Sequence, residues 1–275
     1  MIIILGHQLH KIIYIIVNII VISFTLPSFA GQESEPIGYL QALDTSGAKW
    51  SLGFGAMVRN SPFKGEKITV LPFPIVDYSS KTFFFRELKA GYHIVKVKNP
   101  RQGGFFVDGF ISARIRPGSE RKKFTSDIGL RTGYQLPLGA ISFTLLQDAT
   151  NTSNGQELSA SYTFTFVTKN KKMFFIPQLS ISWQSRKMAD YLWGIDQKTS
   201  QKMIANNEPV ILFPYTINKS VINFSAGFTN VYKFNDHWSS LISAKAAMLD
   251  GKIKLNPAIE RDYDYSFVVG ATYTF

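Results

Sequence analysis

The stretch Tyr263-Asp-Tyr-Ser-Phe-Val-Val-Gly-Ala-Thr-Tyr-Thr-Phe275 decides the fold class. Its odd-numbered positions are all apolar or aromatic, whereas most of the positions between them are small or polar. A period of two is typical of a β-strand with one apolar face. The stretch has 13 residues, which is long enough for a tilted strand to cross a bilayer.

The same alternation recurs along the chain and predicts an antiparallel transmembrane β-barrel of about 12 strands. An even number of strands places both termini at the periplasmic end, with short turns there and longer loops outside. The predicted strands cover residues 49–59, 68–77, 80–86, 88–98, 104–115, 124–134, 138–147, 156–168, 172–184, 219–234, 236–249 and 262–275.

Soluble β-sandwiches also alternate, so further features have to separate the two classes. Charged residues fall on the face opposite the apolar set, where a barrel lumen accepts them more readily than a soluble core. We predict that these lumen charges are Arg59, Asp108, Arg114, Asp127, Arg131 and Lys245. Aromatic residues such as Trp50, Tyr78 and Trp238 gather near strand ends, as interfacial girdles require, and the last strand closes on Phe275.

Two places fit this pattern poorly. The link near Glu87 is too short for an outer loop, so the strand count could shift by two. Pro72 and Pro74 remove two backbone donors from a predicted strand, and a closed barrel has no edge on which to place them. We therefore expect a bulge or a locally broken strand there.

The first 30 residues have the pattern of a secretory signal peptide. Lys11 precedes an apolar run over residues 12–24, and Ser28 and Ala30 have the spacing that a signal peptidase recognises. We predict cleavage between Ala30 and Gly31, a periplasmic segment over residues 31–48 and a barrel over residues 49–275. An uncleaved transmembrane anchor is the alternative.

Composition excludes several classes of protein. The chain lacks cysteine, so disulfide scaffolds, cysteine-ligated metal centres and cysteine nucleophiles are excluded. Removing Lys11 with the signal peptide leaves 29 basic and 19 acidic residues, a net charge of +10. The basic residues are scattered and lie mainly in loops, which argues against nucleic acid and favours anionic lipid or an acidic envelope polymer.

The sequence resembles the MipA/OmpV family, the MltA-interacting outer-membrane proteins, over essentially the whole mature chain. The segments that carry the resemblance are 51–56 (SLGFGA), 61–65 (SPFKG), 71–78 (LPFPIVDY), 82–85 (TFFF), 191–195 (YLWGI) and 236–239 (DHWS). The resemblance implies an outer-membrane barrel whose namesake brings a murein hydrolase and a murein synthase together. The basic balance and the loop from Lys187 to Pro209 depart from the family pattern.

Candidate catalytic and metal-binding residues are few. His237 and Ser239 lie two apart on one strand, which resembles the His-x-Ser pair of outer-membrane phospholipases, but no orienting partner can be placed. His93 is better interpreted as a lumen or core residue than as a ligand. Histidines and carboxylates do not recur at metal-ligand spacing, so we predict no metal, no cofactor and no catalytic residue.

The leading hypothesis is therefore a non-enzymatic scaffold or structural protein of the outer membrane of a Gram-negative bacterium. Its partners would be outer-membrane lipid and murein hydrolase and synthase, contacted by periplasmic turns such as Asn99–Gly103 and Lys169–Lys172. A narrow channel for small solutes is the alternative, motivated by the charged lumen, but we favour a lumen filled by Asp108, Arg114, Asp127 and Arg131 paired across neighbouring strands. A lipid hydrolase is a remote alternative. The long loop Ser185–Asn218 could plug the lumen or present a surface for adhesion.

Overall fold

The computed structural model describes residues 48–86, 88–97, 103–115 and 124–275. Twelve strands form the wall: β1 Lys49–Arg59, β2 Thr69–Ser79, β3 Phe83–Arg86, β4 Lys89–Val95, β5 Gly104–Ile115, β6 Phe124–Leu136, β7 Gly139–Asp148, β8 in two segments, Gln156–Phe164 and Phe166–Val167, β9 Met173–Gln184, β10 Val221–Lys233, β11 Trp238–Met248 and β12 Tyr263–Thr274. Three helices lie between strands: α1 Arg186–Trp193, α2 Gln197–Ala205 and α3 Gly251–Lys254. None of the helices in these ranges has the length and hydropathy to cross a membrane.

The strands form one closed antiparallel barrel. Each strand pairs with its sequence neighbours, and β1 pairs with β12 from Ser51–Thr274 to Arg59–Ser266, which closes the ring. Thr165 separates the two segments of β8. Its N–H still donates to Leu138 O at 2.9 Å, so β8 remains hydrogen-bonded beside β7 at this point. The prediction of a 12-stranded transmembrane barrel is confirmed, and both described chain ends lie at the end with short turns.

The two faces of the wall differ as the alternation predicts. Apolar side chains point outward and stay exposed, for example Phe54 at 65% and Ile111 at 59%, as a lipid-facing surface requires. Aromatic rings collect near the short-turn end of this surface, where Trp50 and Tyr78 pack with ring centroids 4.7 Å apart. At the same end Phe275 N–H donates to Trp50 O at 2.9 Å, and its ring lies 5.0 Å from that of Tyr273.

The expected bulge at Pro72 and Pro74 is wrong. β2 pairs with β1 one to one over its whole length, from Lys49–Ser79 to Arg59–Thr69. On its other side β2 pairs with the short strand β3 only through residues 77–79, so among the described residues its segment 69–76 is an edge. Ser80 donates its N–H to Phe83 O at 2.9 Å, on the side of β2 that faces β3. Successive N–H groups of a strand point to opposite sides, so the even-numbered residues of β2 direct theirs toward β3. Each proline therefore lacks an N–H group only on the side of β2 where no described strand could accept a hydrogen bond. The ladder between β2 and β1 loses no hydrogen bond to the two prolines.

Candidate functional site

Most charged residues on the inner face are paired with one another. Arg114 is fully enclosed: its Nε donates to Asp127 Oδ2, and its Nη1 donates to Glu157 Oε2 at 2.6 Å. These three residues come from β5, β6 and β8, and each has at most 4% of its surface exposed. The guanidinium group of Arg114 binds two carboxylates at once. The three residues therefore link β5, β6 and β8 near the outer end of the lumen.

A second group lies between β4, β5 and β6. Asp108 Oδ1 lies 2.6 Å from His93 Nδ1, and Asp108 Oδ2 accepts hydrogen bonds from Arg131 Nε at 3.1 Å and Nη2 at 2.6 Å. The His93 ring packs on Phe84, with ring centroids 4.9 Å apart. His93 is thus held as an inner-face residue by a carboxylate and an aromatic ring.

Further inner-face charges lie on β1 to β3 and on β11 and β12. Arg59 Nη2 donates to Asp264 Oδ2 at 3.2 Å across the strands that close the barrel. Lys245 lies on the inner face of the neighbouring strand β11, opposite Ser266 in register. Arg86 Nε lies 3.7 Å from Asp77 Oδ2 between β2 and β3. Charges of both signs therefore line this part of the inner face as well.

Apolar side chains also pack inside the barrel. One cluster of buried residues lies on β9, β10, β11, β1 and β2, and Val268 of β12 packs against it. It contains Met57, Ile75, Phe174, Ile176, Val231 and Leu241. The same strands carry Arg59, Asp264 and Lys245 on their inner faces, so apolar and charged side chains share this part of the lumen.

A compact outer cap covers strands β9 to β12 and β1 at the end with the long loops. It consists of the β9–β10 loop with α1 and α2, the β11–β12 loop with α3, and the tip of the β1–β2 loop. Met188, Leu192 and Ile253 are fully buried in its core. Trp193 Nε1 donates to Gln184 Oε1 at 3.0 Å, and its carbonyl accepts from Asn256 Nδ2 at 2.7 Å, so hydrogen bonds join the cap to the wall.

The periplasmic end has a different character. The turn between β8 and β9 carries Lys169, Lys171 and Lys172, all exposed. Lys96, just after β4, donates from Nζ to Ser80 O at 3.0 Å. Burial lowers the pKa of Lys96, the charge of Arg86 lowers it further, and Asp108 opposes both effects.

The hydrolase candidates do not form a catalytic pair. His237 directs Nδ1–H to Thr274 O at 2.9 Å and stacks on Tyr273, with ring centroids 5.3 Å apart. Ser239 lies within β11, between partners on β10 and β12. The described residues contain no group of three or more histidines and carboxylates that could hold a metal ion.

The structure places all six predicted lumen charges on the inner face, and it brings five of them into ion pairs. Sequence reasoning did not identify Glu157 and Asp264, which pair with predicted charges, or the separate pair of Asp77 and Arg86. The same out-of-phase position marks Glu157 and Asp264. The cleavage site at Ala30 and Gly31 lies outside the described residues, as does the turn Asn99–Gly103 except for its last residue.

A closed barrel with a lipid-facing apolar wall and a polar interior defines an outer-membrane protein. Residues 52–275 match the model of the family described as MltA-interacting protein MipA, and the chain belongs to this family. The MltA-interacting protein of Escherichia coli strain K12 is 24% identical over 237 residues, which cover 82% of this chain and 90% of the relative.

Other relatives are also outer-membrane proteins. The outer membrane protein OmpV of Vibrio cholerae is 24% identical over 164 residues, covering 60% of this chain and 59% of the relative. Among solved structures, the translocator domain of the autotransporter NalP from Neisseria meningitidis is 12% identical, with a TM-score of 0.44 and coverage of 87% and 93%. The protein is thus a MipA-family barrel of the outer membrane of a Gram-negative bacterium.

Proposed function

We propose that this protein is a non-enzymatic anchor that holds a murein hydrolase, and a murein synthase with it, at the periplasmic face of the outer membrane. The observation that carries the proposal is the family membership, because a relative aligned over 90% of its length is named for its interaction with MltA. The fold alone would not carry it, since barrels serve many functions.

The interior supports a structural role. Many inner-face charges are paired with one another, an apolar cluster packs inside the wall, and a folded cap covers part of the outer end. Paired charges and apolar packing across strands stabilise the wall, and neither is needed in an open pore. This arrangement favours the anchor over the alternative of a solute channel.

Partners in the periplasm can reach only the short-turn end of the barrel. The β8–β9 turn is the best-defined described surface there, because its lysines are exposed on a hydrogen-bonded frame. We assign this turn as part of the surface that contacts the murein enzymes.

Site-specific crosslinking in intact envelopes tests the proposal. A photoreactive amino acid at position 169 is expected to capture the murein hydrolase, detected by an antibody against that enzyme. The matched control is the same amino acid at position 198 on α2, which is exposed at the opposite end of the barrel. Equal capture from both positions, or capture from neither while the barrel is correctly assembled, contradicts the anchor role.

A further inference from the structure

In the described part of the chain, the side chains at the periplasmic rim carry almost exclusively positive charge. In the described turns and chain ends at this rim there are seven lysines and one side-chain carboxylate, that of Asp236. The lysines are Lys49, Lys81, Lys96, Lys169, Lys171, Lys172 and Lys233. They come from five separate places around the ring, so the charge surrounds the rim instead of forming one small patch.

The β8–β9 turn holds three of these lysines on a rigid frame. Thr168 N–H donates to Met173 O at 3.1 Å, and Lys171 N–H donates to Thr168 O at 2.8 Å. Asn170 Oδ1 accepts hydrogen bonds from Thr168 Oγ1 at 2.7 Å and from Lys172 N–H at 3.1 Å. The backbone bonds fix the turn, so its ammonium groups project from it into the periplasm.

Two rim lysines face the mouth of the barrel, which favours a partner in the periplasm over lipid. Residues two apart on a strand share a face, and Ser51 and Val231 are buried inside the barrel. Lys49 and Lys233, two positions from them, therefore lie on the inner face. Lys233 Nζ lies 5.2 Å from the centre of the Phe174 ring, which is itself buried in the interior. Lipid headgroups contact the outer face of a barrel, whereas these two lysines border its mouth.

The composition of the turn suits an anionic polymer. Residues 168–172 are all polar or basic, so the turn interacts mainly through charge, whether its partner is an enzyme or a polymer. A rim that carries several cations favours a repetitive polyanion, which gains from many weak contacts at once.

We propose that this lysine rim binds peptidoglycan directly, through the free carboxylates of its stem peptides. The rim would place the outer membrane against the cell wall independently of the murein enzymes. This binding goes beyond the proposed anchor role, because it needs no hydrolase or synthase.

Co-sedimentation with isolated, protein-free sacculi tests the proposal. The full mature chain, refolded into nanodiscs of zwitterionic lipid, is expected to sediment with sacculi at low salt and to be released as ionic strength rises. Replacing Lys169, Lys171 and Lys172 with Glu is expected to weaken binding about tenfold or more, because three attractive contacts become repulsive.

The matched control reverses the same number of charges at the other end of the barrel. Lys187, Lys198 and Lys219 are exposed in the outer loop, and replacing them with Glu is expected to leave binding unchanged. Amidating the carboxylates of the sacculi should abolish binding of the wild-type protein. A heat-induced shift in gel mobility verifies that each variant forms a barrel.

Three results overturn the proposal: no binding to sacculi, equal binding by the periplasmic variant, or undiminished binding to amidated sacculi. The protein could instead bind vesicles that contain anionic phospholipid and fail to bind sacculi. That result would identify lipid as the partner of the rim and would also refute the proposal. The assay contains no murein enzyme, so its failure leaves the crosslinking test of the anchor role unaffected.

Discussion

At the scale of single residues, Arg114 has the largest predicted effect on stability. Its guanidinium group contacts Asp127 and Glu157, and all three side chains are enclosed. Removing the cation leaves two carboxylates close together without compensation. Breaking a buried ion pair from one side typically costs about 3–5 kcal/mol.

We therefore expect Arg114→Met to lower the free energy of unfolding by about 3–5 kcal/mol. Urea titration of the refolded protein in detergent, followed by tryptophan fluorescence, measures this difference. Arg59→Met is the control, because Arg59 makes one 3.2 Å contact with Asp264 and is more exposed, so its loss should be smaller. Unchanged stability of Arg114→Met would show that the group contributes nothing to the wall.

The sequence predicted which charges face inward and that Asp108, Arg114, Asp127 and Arg131 pair across neighbouring strands, but not that Glu157 joins them. Alternation assigns a face to each residue because a strand has a period of two. Pairing depends on the shear of the barrel, which brings Glu157 of β8 to Arg114 of β5 across two intervening strands. No local pattern in the sequence encodes that offset.

At the scale of elements, the strand pattern was largely predictable from alternation. The bounds of β1 and β5 agree with the prediction at both ends, and the others differ by a few residues. The helices of the outer loop were not predicted, because their buried residues pack on other loops that are distant in sequence. The loop Ser185–Asn218 forms part of the folded cap at the outer end, and its role as an adhesive surface stays a prediction.

Pro72 and Pro74 leave the edge of β2 without two N–H donors, which should disfavour pairing with another chain. Restoring both N–H groups with Pro72→Val and Pro74→Val should leave the barrel intact but promote association through residues 69–76. Crosslinking of the protein in detergent, followed by gel electrophoresis, is expected to show more dimer for the double variant. Val76→Thr in the same strand is a control that retains both prolines, and dimer levels matching wild type in the proline variant would contradict this role.

The outer cap should lose its structure without opening the barrel. Leu192→Ala removes a fully buried side chain from the cap core, a change that typically costs about 2–5 kcal/mol. We expect faster trypsin cleavage in the loop at Lys187, Lys198 or Lys202, while the heat-induced gel shift is retained. Ile204→Ala, at an exposed position on α2, should cleave at the wild-type rate. If Leu192→Ala also abolishes the gel shift, the cap and the wall fold as one unit.

At the scale of the whole molecule, the barrel has a mixed interior and two chemically different ends. Ion pairs and apolar clusters share the lumen, the outer cap covers strands β9 to β12 and β1, and the described turns at the periplasmic end are basic. Fold class and membrane location followed from the sequence, because lipid imposes a strict alternation on every strand. The contacts inside the lumen could not be predicted, since they depend on which strands become neighbours when the sheet closes.

We expect the lumen to lack a continuous water path, so that the protein acts at its surface. Single-channel recording of the refolded protein in planar bilayers measures this property, once the gel shift has verified a closed barrel. We expect no discrete conductance steps, whereas a porin inserted under the same conditions gives them. Reproducible steps that change in selectivity with Arg131→Ala would contradict this expectation and make the charged inner face a solute path.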